Sequence, residues 1–178
     1  MGDISAHFDK REFTCKCGKC YRADIDNELI EKLEKLHDLM NASSIIITSG
    51  FRCPEWSKSQ GGFYNDAHTR GIASDIMVYK YFNTPYTSYD VAEAAERVGF
   101  SGIGIIDNYA VHVDVRNNDN YVNPHWFGNE MTGDDNIQTF QRGTEFVSRE
   151  TPEEPKQEKE HTIEIIIDGN SIYKGVIK

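Results

Sequence analysis

The chain has 178 residues, enough for one folded domain with a small appendage, and its apolar (38%) and charged (27%) fractions are ordinary for a globular protein. Asp and Glu outnumber Lys and Arg by 29 to 19, a net charge of −10 that argues against nucleic acid as a partner, because phosphate binding needs clustered cations. No apolar run approaches the roughly 20 residues of a membrane-spanning helix, so the sequence predicts no membrane insertion.

The first 22 residues carry no regular helix or strand pattern. Met1 to His7 lack the basic and apolar regions of a signal peptide, so the sequence predicts synthesis in the cytoplasm without a cleaved leader. Residues 7–22 mix aromatic, charged and Cys residues and are predicted to form an irregular segment.

Apolar residues at i, i+3 and i+4 spacing predict two amphipathic helices. The first runs from Asp26 to Met40, with Asp26 as its N-cap. The second runs from Ser88 to Val98, with Ser88 as its cap and Gly99 as its C-terminal stop.

Short runs of β-branched residues predict four strands, at 44–48, 72–79, 102–106 and 110–115. The last two form a predicted hairpin across Asp107-Asn108. The stretch from Ser49 to about Asp66 is rich in Gly, Ser and Pro and is predicted to be a loop. Together the elements predict an α+β fold, a small and mostly antiparallel sheet with helices packed on one side.

Composition changes near the C-terminus. Residues 148–160 are charged, contain two prolines and have no run of apolar side chains, which predicts a linker after a domain over 1–147. Residues 161–178 form two strand-like runs around Asp168-Gly169, a β-hairpin pattern. An isolated hairpin is marginal in water, so this one is interpreted as an appendage of the domain or as an element for oligomerisation or attachment.

The middle of the chain contains residues that suit a metal site. They lie in the pattern Ser49-Gly-Phe-Arg52, Gly61-Gly62, His68-x-x-Gly71-x-Ala73-x-Asp75 and His112-Val-Asp114-Val-Arg116. Asp75 and His112 fall on predicted strands, and Gly71 allows a turn that folds His68 over the sheet face. Each residue alone has an ordinary structural explanation, but the set predicts an open three-ligand zinc site with a spare acid or base, and hence a metallohydrolase.

This pattern resembles the zinc D-alanyl-D-alanine carboxypeptidase family, which is grouped with lysostaphin-type peptidases and the hedgehog signalling domain. The nearest branch is the short peptidoglycan peptidases of phage and phage-like elements, and the resemblance covers roughly His7 to Phe127. It implies a zinc metallopeptidase that degrades the cell wall once another route releases it, with D-Ala-D-Ala carboxypeptidase as the first expected activity. The alternatives are an endolysin-type endopeptidase that cuts L-Ala-D-Glu or a cross-bridge, and a non-catalytic zinc-binding module that recognises the wall.

The resemblance also implies roles for the site residues. His68 and Asp75 match the first two ligands of one catalytic Zn²⁺, His112 would be the third, and Asp114 would be the general base. Better-known members end in Glu-x-x-His or His-x-His, so the opposite assignment, with Asp114 as ligand and His112 as base, stays open. His125 is a further candidate for the third ligand.

Arg52 matches an arginine near the active centre of the family. Its guanidinium would stabilise the oxyanion or hold a substrate carboxylate, and the alternative is a structural ion pair. Gln60 and Arg116 are expected to contact the substrate or support the site.

Four cysteines lie outside this pattern. Cys15, Cys17 and Cys20 form Cys-x-Cys-x-x-Cys, and Cys53 follows Arg52. The Cys17-x-x-Cys20 spacing suits a second, structural zinc site that would pin the N-terminal segment against the Arg52 loop. Two disulfides and free thiols are the alternatives that the sequence leaves open.

Overall fold

The computed structural model describes residues 2–116 and 125–142, and it describes the backbone of 161–167 and 170–177. The chain divides into two compact units, Met1–Thr144 and Glu145–Lys178. The linker predicted at 148–160 and the turn predicted at Asp168-Gly169 lie outside the described residues. None of the described helices has the length and apolar character that a membrane crossing requires.

The first unit is built on one sheet of six strands. They are β1 (Ser44–Ser49), β2 (Ala73–Lys80), β3 (Thr84–Pro85), β4 (Gly102–Ile105), β5 (Ala110–Asp114) and β6 (Trp126–Asn129). The strand order is β1-β2-β5-β4-β6, and the short β3 pairs with the end of β2. All neighbours are antiparallel except β4 and β6, which are parallel. The mostly antiparallel sheet predicted from the sequence is confirmed.

Three α-helices accompany the sheet in the part of the chain that the structure describes. They are α1 (Asn27–Leu39), α2 (Pro54–Ser59) and α3 (Ser88–Val98). Asp26 caps α1 as predicted, because its carboxylate accepts from the amide of Glu28. Gly99 ends α3 in the left-handed region, with φ 92°.

Two details of the predicted elements are wrong. The cap of α3 is Thr87 rather than Ser88, since the Thr87 hydroxyl accepts from the amide of Asp90. The stretch from Ser49 to Asp66 is not all loop, because Pro54 opens the six-residue α2. Such a short helix leaves no apolar period to read in the sequence.

The two faces of the sheet have different characters, because successive side chains on a strand point to opposite sides. One face packs with α1 and α3 into the core. The buried residues on it come from four strands and two helices: Ile45, Ile47, Ile76, Val78, Ile103, Ile105, Val111, Val113, Leu29, Leu33, Leu36, Val91, Ala92 and Ala95. The predicted packing of helices on one side is therefore confirmed.

The opposite face carries the polar residues of the predicted metal site. Asp75 on β2 and His112 on β5 are direct partners in the strand register. Next to them across the sheet lie Gly104 and then Gly128, neither of which has a side chain. A Cβ at Gly104 would come within 2.7 Å of the Trp126 ring, so the glycines let that indole lie close to the sheet beside His112.

The second unit contains two strands in the described residues. β7 (His161–Ile167) and β8 (Asn170–Ile177) pair antiparallel, with an irregularity in the register between Ile165 and Ile166. The domain limits and the role of this hairpin stay predictions.

Candidate metal centre

His68, Asp75 and His112 converge on one point above the open sheet face. His68 Nε2 lies 3.2 Å from Asp75 Oδ1, and His112 Nδ1 lies 3.0 Å from the same oxygen. The two nitrogens are 3.2 Å apart. A tetrahedral zinc with bonds of about 2.0–2.1 Å has ligand atoms about 3.3 Å apart, so two imidazole nitrogens and one carboxylate oxygen at these separations suit zinc in both chemistry and spacing.

His68 reaches the site from the loop between α2 and β2. Gly71 turns this loop with φ 74°, and a Cβ there would lie 2.3 Å from the carbonyl oxygen of Asp24. His68 Nδ1 is 2.8 Å from the carbonyl oxygen of Gly50. A carbonyl can only accept, so Nδ1 carries the proton and the Nε2 lone pair faces the site.

His112 is held in the same manner from its other side. Its Nε2 lies 3.1 Å from Asp114 Oδ2, and a carboxylate accepts, so Nε2 carries the proton and Nδ1 presents its lone pair to His68 and Asp75. Asp114 is fully buried and lies behind His112 rather than beside the three converging atoms.

Arg116 holds Asp114 in that position. Its Nε donates to both carboxylate oxygens, at 2.8 and 2.9 Å, and its backbone amide donates to Oδ1 at 3.1 Å. The carboxylate occupies space that only a glycine leaves open, since a Cβ at Gly102 would be 2.1 Å from Asp114 Oδ2. The chain of contacts from His112 through Asp114 to Arg116 is therefore built into the sheet.

Arg52 holds the carboxylate of Asp75 in place, as Arg116 does for Asp114. Its terminal nitrogen contacts Asp75 Oδ2, and its Nε donates to the hydroxyl of Ser49 at 2.8 Å. This ion pair leaves Oδ1 of Asp75 facing the two imidazoles. The structural ion pair that the sequence left as one interpretation of Arg52 is present.

The electrostatics follow from burial and these contacts. Burial alone would raise the pKa of Asp75, but without a metal the adjacent imidazoles of His112 and His68 outweigh it and hold that pKa below its ordinary value. Burial likewise opposes ionisation of Asp114, whose pKa Arg116 and His112 nevertheless lower. Burial disfavours the charged form of His112, yet without a metal Asp114 and Asp75 together raise its pKa to about 9, so a metal that binds Nδ1 would displace a proton from that nitrogen. Both carboxylates are thus ionised at neutral pH, as metal binding and ligand orientation require.

A cleft of about 830 Å³ opens over the three converging residues. Gln60 and Arg116, predicted as substrate contacts, line it together with Arg52. His125 is exposed and does not belong to the group of converging ligand atoms. A cavity of about 950 Å³ between the N-terminal segment and α1 has none of the candidate ligands in its lining.

Trp126 and Phe63 also line the cleft, and sequence reasoning did not identify them. The Trp126 ring packs edge-on against His112, with centroids 6.0 Å apart, and the Arg116 guanidinium lies 5.4 Å from its centroid. Phe63 is 80% exposed, although it lies at the cleft. The available signal in the sequence was an aromatic residue next to Gly61-Gly62 and another next to His125, outside the predicted helices and strands, since large apolar side chains without a place in the core often bind ligands.

The four cysteines form a second group. Their sulfur atoms all lie within 4.8 Å of one another, and Cys17 Sγ is 3.5 Å from Cys20 Sγ. All four are free thiols in the structure, so this cluster could hold a second metal. Amide donors from Cys20 and Lys19 lower the pKa of Cys17 to about 6, whereas burial raises the pKa of Cys15 to about 12.

Comparison with known proteins gives one match. The model of the family described as Peptidase M15 matches residues 6–114, more than half of the chain, and this range includes His68, Asp75, His112 and all four cysteines. No curated protein sequence and no solved structure matches significantly.

Proposed function

Because the chain belongs to the Peptidase M15 family, we propose that it is a zinc metallopeptidase that hydrolyses peptide bonds in peptidoglycan stem peptides. The observation that carries the proposal is the convergence of His68 Nε2, Asp75 Oδ1 and His112 Nδ1 on one point. Three protein ligands are what a catalytic zinc uses, since it keeps a further position for water or substrate.

The three proposed ligands are each oriented by a second protein group. Gly50 fixes the tautomer of His68, Asp114 fixes that of His112, and Arg52 holds Asp75. Zinc bound there would acidify a water molecule and polarise the scissile carbonyl. The oriented ligands hold the ion without a large rearrangement of the protein.

For Asp114 we propose a positioning role in place of the general base expected from the family resemblance. Its carboxylate is buried and engaged by His112 and Arg116, so it has no approach to a water in the cleft. Its pKa is also held low, which makes it a weak proton acceptor. The same burial behind His112 argues against Asp114 as the third ligand.

A different carboxylate is then needed as the proton acceptor, and we propose Glu130. It follows β6, its amide continues the ladder by donating to the carbonyl oxygen of Ile105, and it lines the cleft. Alternation along β6 directs Glu130 to the same sheet face as Trp126 and Gly128. Asp66, another carboxylate of the cleft, is bound to the Ser57 hydroxyl and the Thr69 amide.

The proposed substrate is a short peptide that ends in a free carboxylate, with D-Ala-D-Ala as the first candidate. Bonds to Ser49 and Asp75 involve two of the three nitrogens of Arg52, and a guanidinium has five N–H donors. Donors on the cleft side can therefore hold a substrate carboxylate or the oxyanion of the transition state. Trp126 offers an apolar wall for the small side chains of such a peptide.

The experiment is a digestion of purified muropeptides followed by mass spectrometry. We expect pentapeptide muropeptides to lose one C-terminal alanine, and we expect the loss to stop on chelation and return with added zinc. Release of whole stem peptides, or conversion of cross-linked dimers to monomers, would instead identify the endopeptidase alternative. Binding to muropeptides with no product from any of them would contradict an enzyme and favour the wall-recognition module.

A further inference from the structure

We infer that Cys15, Cys17, Cys20 and Cys53 bind one zinc ion as four thiolates, and that this ion holds in place the groups that orient His68 and Asp75. The geometry of the four sulfur atoms alone supports the cysteine site. Its coupling to His68 and Asp75 rests on the proposed function, because it presumes a catalytic zinc between them.

The sulfur positions suit a tetrahedral thiolate site. Zinc–sulfur bonds of about 2.3 Å place the sulfurs of a four-thiolate site about 3.8 Å apart. The 3.5 Å between Cys17 Sγ and Cys20 Sγ is close to that separation, and all four sulfurs lie within 4.8 Å of one another. Three amides also point at these sulfurs, those of Lys19 and Cys20 at Cys17 Sγ and that of Cys53 at Cys15 Sγ, each at 3.3 Å. Amide donors stabilise thiolates and orient them as ligands.

The four cysteines lie in irregular segments outside the helices and strands. The Cys15 amide donates to the carbonyl oxygen of Arg22 at 2.7 Å and closes the loop between them, and Gly18 turns this loop with φ 69°. Cys53 comes from 38 residues beyond Cys15 and stands at the N-cap of α2. A metal here would therefore join the N-terminal segment to the start of α2.

Cys53 ends the segment Ser49–Cys53, which orients the proposed catalytic ligands. The Gly50 carbonyl accepts from His68 Nδ1, and the Arg52 amide donates to the His68 carbonyl at 3.3 Å. The Arg52 side chain contacts Asp75 and is steadied by Ser49. The segment therefore touches two of the three proposed ligands.

The same segment is packed tightly on the N-terminal region. The Phe51 amide donates to the Phe13 carbonyl at 2.9 Å, and a Cβ at Gly50 would be 2.5 Å from the Cα of Phe13. Phe13 is two residues from Cys15, and Cys53 is one residue from Arg52. A zinc bound by the cysteines thus fixes both partners of this contact, so the two metal sites are linked through the Ser49–Cys53 segment.

The first test replaces zinc with Co²⁺ and records absorption spectra. We expect a thiolate-to-cobalt charge-transfer band in the wild-type protein and in His68→Ala, which keeps the cysteines, and we expect zinc analysis to give two ions per wild-type chain. One zinc per chain with no charge-transfer band, whether the cysteines are disulfides or free thiols, overturns the inference and leaves the muropeptide result standing. A charge-transfer band without any muropeptide hydrolysis would instead defeat the proposed function and keep the cysteine site.

The second test measures coupling as the affinity of the remaining site for zinc, by competition with a chelating dye. Cys20→Ser should reduce the charge-transfer band and weaken the affinity of the histidine site about 10-fold, since groups that orient metal ligands change affinity by roughly 10–100-fold. Lys19→Ala is the matched control, because it alters the same loop but keeps the amide that donates to Cys17. If Cys20→Ser does not fold, blocking the thiols of the wild-type protein with methyl methanethiosulfonate provides the same comparison. Unchanged affinity of the histidine site would overturn the coupling.

Discussion

His68→Ala should lose one zinc ion per chain and reduce peptide hydrolysis by about 10³-fold or more, because the metal supplies both the acidified water and the polarised carbonyl. The substitution removes the Nε2 ligand, while Asp75 and His112 alone cannot form the three-ligand site. The measurement is zinc content by elemental analysis, together with the rate of muropeptide hydrolysis at saturating substrate.

His125→Ala is the matched control for this prediction. It is the same change at an exposed histidine outside the converging group. It should retain both the zinc and the rate. A His68→Ala protein that hydrolyses muropeptides at the wild-type rate would refute the assignment, and loss of zinc in His125→Ala would return His125 to the list of ligands.

Asp114→Asn should weaken zinc binding by roughly 10–100-fold, because it disturbs the group that orients a metal ligand. An amide replaces one carboxylate oxygen with an NH2 donor, and an NH2 group at the Oδ1 position would face the backbone amide and the Nε of Arg116, which are donors themselves. It also removes the charge that partners a half-buried guanidinium, which should lower the free energy of unfolding. The measurements are zinc affinity by dye competition and thermal unfolding of the zinc-free protein.

This result separates the two roles of Asp114. If Asp114 were the general base, Asp114→Asn would lower turnover and leave the zinc affinity unchanged. That result would contradict a positioning role. Glu130→Gln should give the opposite outcome to Asp114→Asn, with zinc retained and turnover lost. Asp107→Asn is the matched control, because the same acid-to-amide change in the β4–β5 turn keeps an oxygen for the amides of Tyr109 and Ala110.

Much of the fold follows from local patterns in the sequence. The helices at 27–39 and 88–98 have a clear apolar period, and the strands at 44–49 and 73–80 have β-branched runs, so their positions were predictable to within one or two residues. β6 was missed because Trp126–Asn129 is only four residues long and contains a glycine. Its parallel pairing with β4 depends on contacts that are distant in sequence.

The candidate site also has a part that was predictable from the sequence and a part that was not. The convergence of His68, Asp75 and His112 was predictable from spacing and resemblance, because strand alternation and one glycine turn determine it. The position of Asp114 was not, since a residue two places from His112 shares its sheet face and can serve as base, ligand or support. Two features of the structure distinguish these roles. The strand register places Asp114 opposite Gly102, and the Arg116 side chain folds back to donate to the Asp114 carboxylate.

Anomalous diffraction at the zinc edge from crystals of the full chain tests the central claim most directly. We expect a zinc peak about 2.0–2.2 Å from His68 Nε2, a carboxylate oxygen of Asp75 and His112 Nδ1, with Asp114 hydrogen-bonded to His112 Nε2 and not bound to the metal. A zinc peak ligated by Asp114, or no zinc among these residues in crystals of a protein that hydrolyses muropeptides, would contradict it.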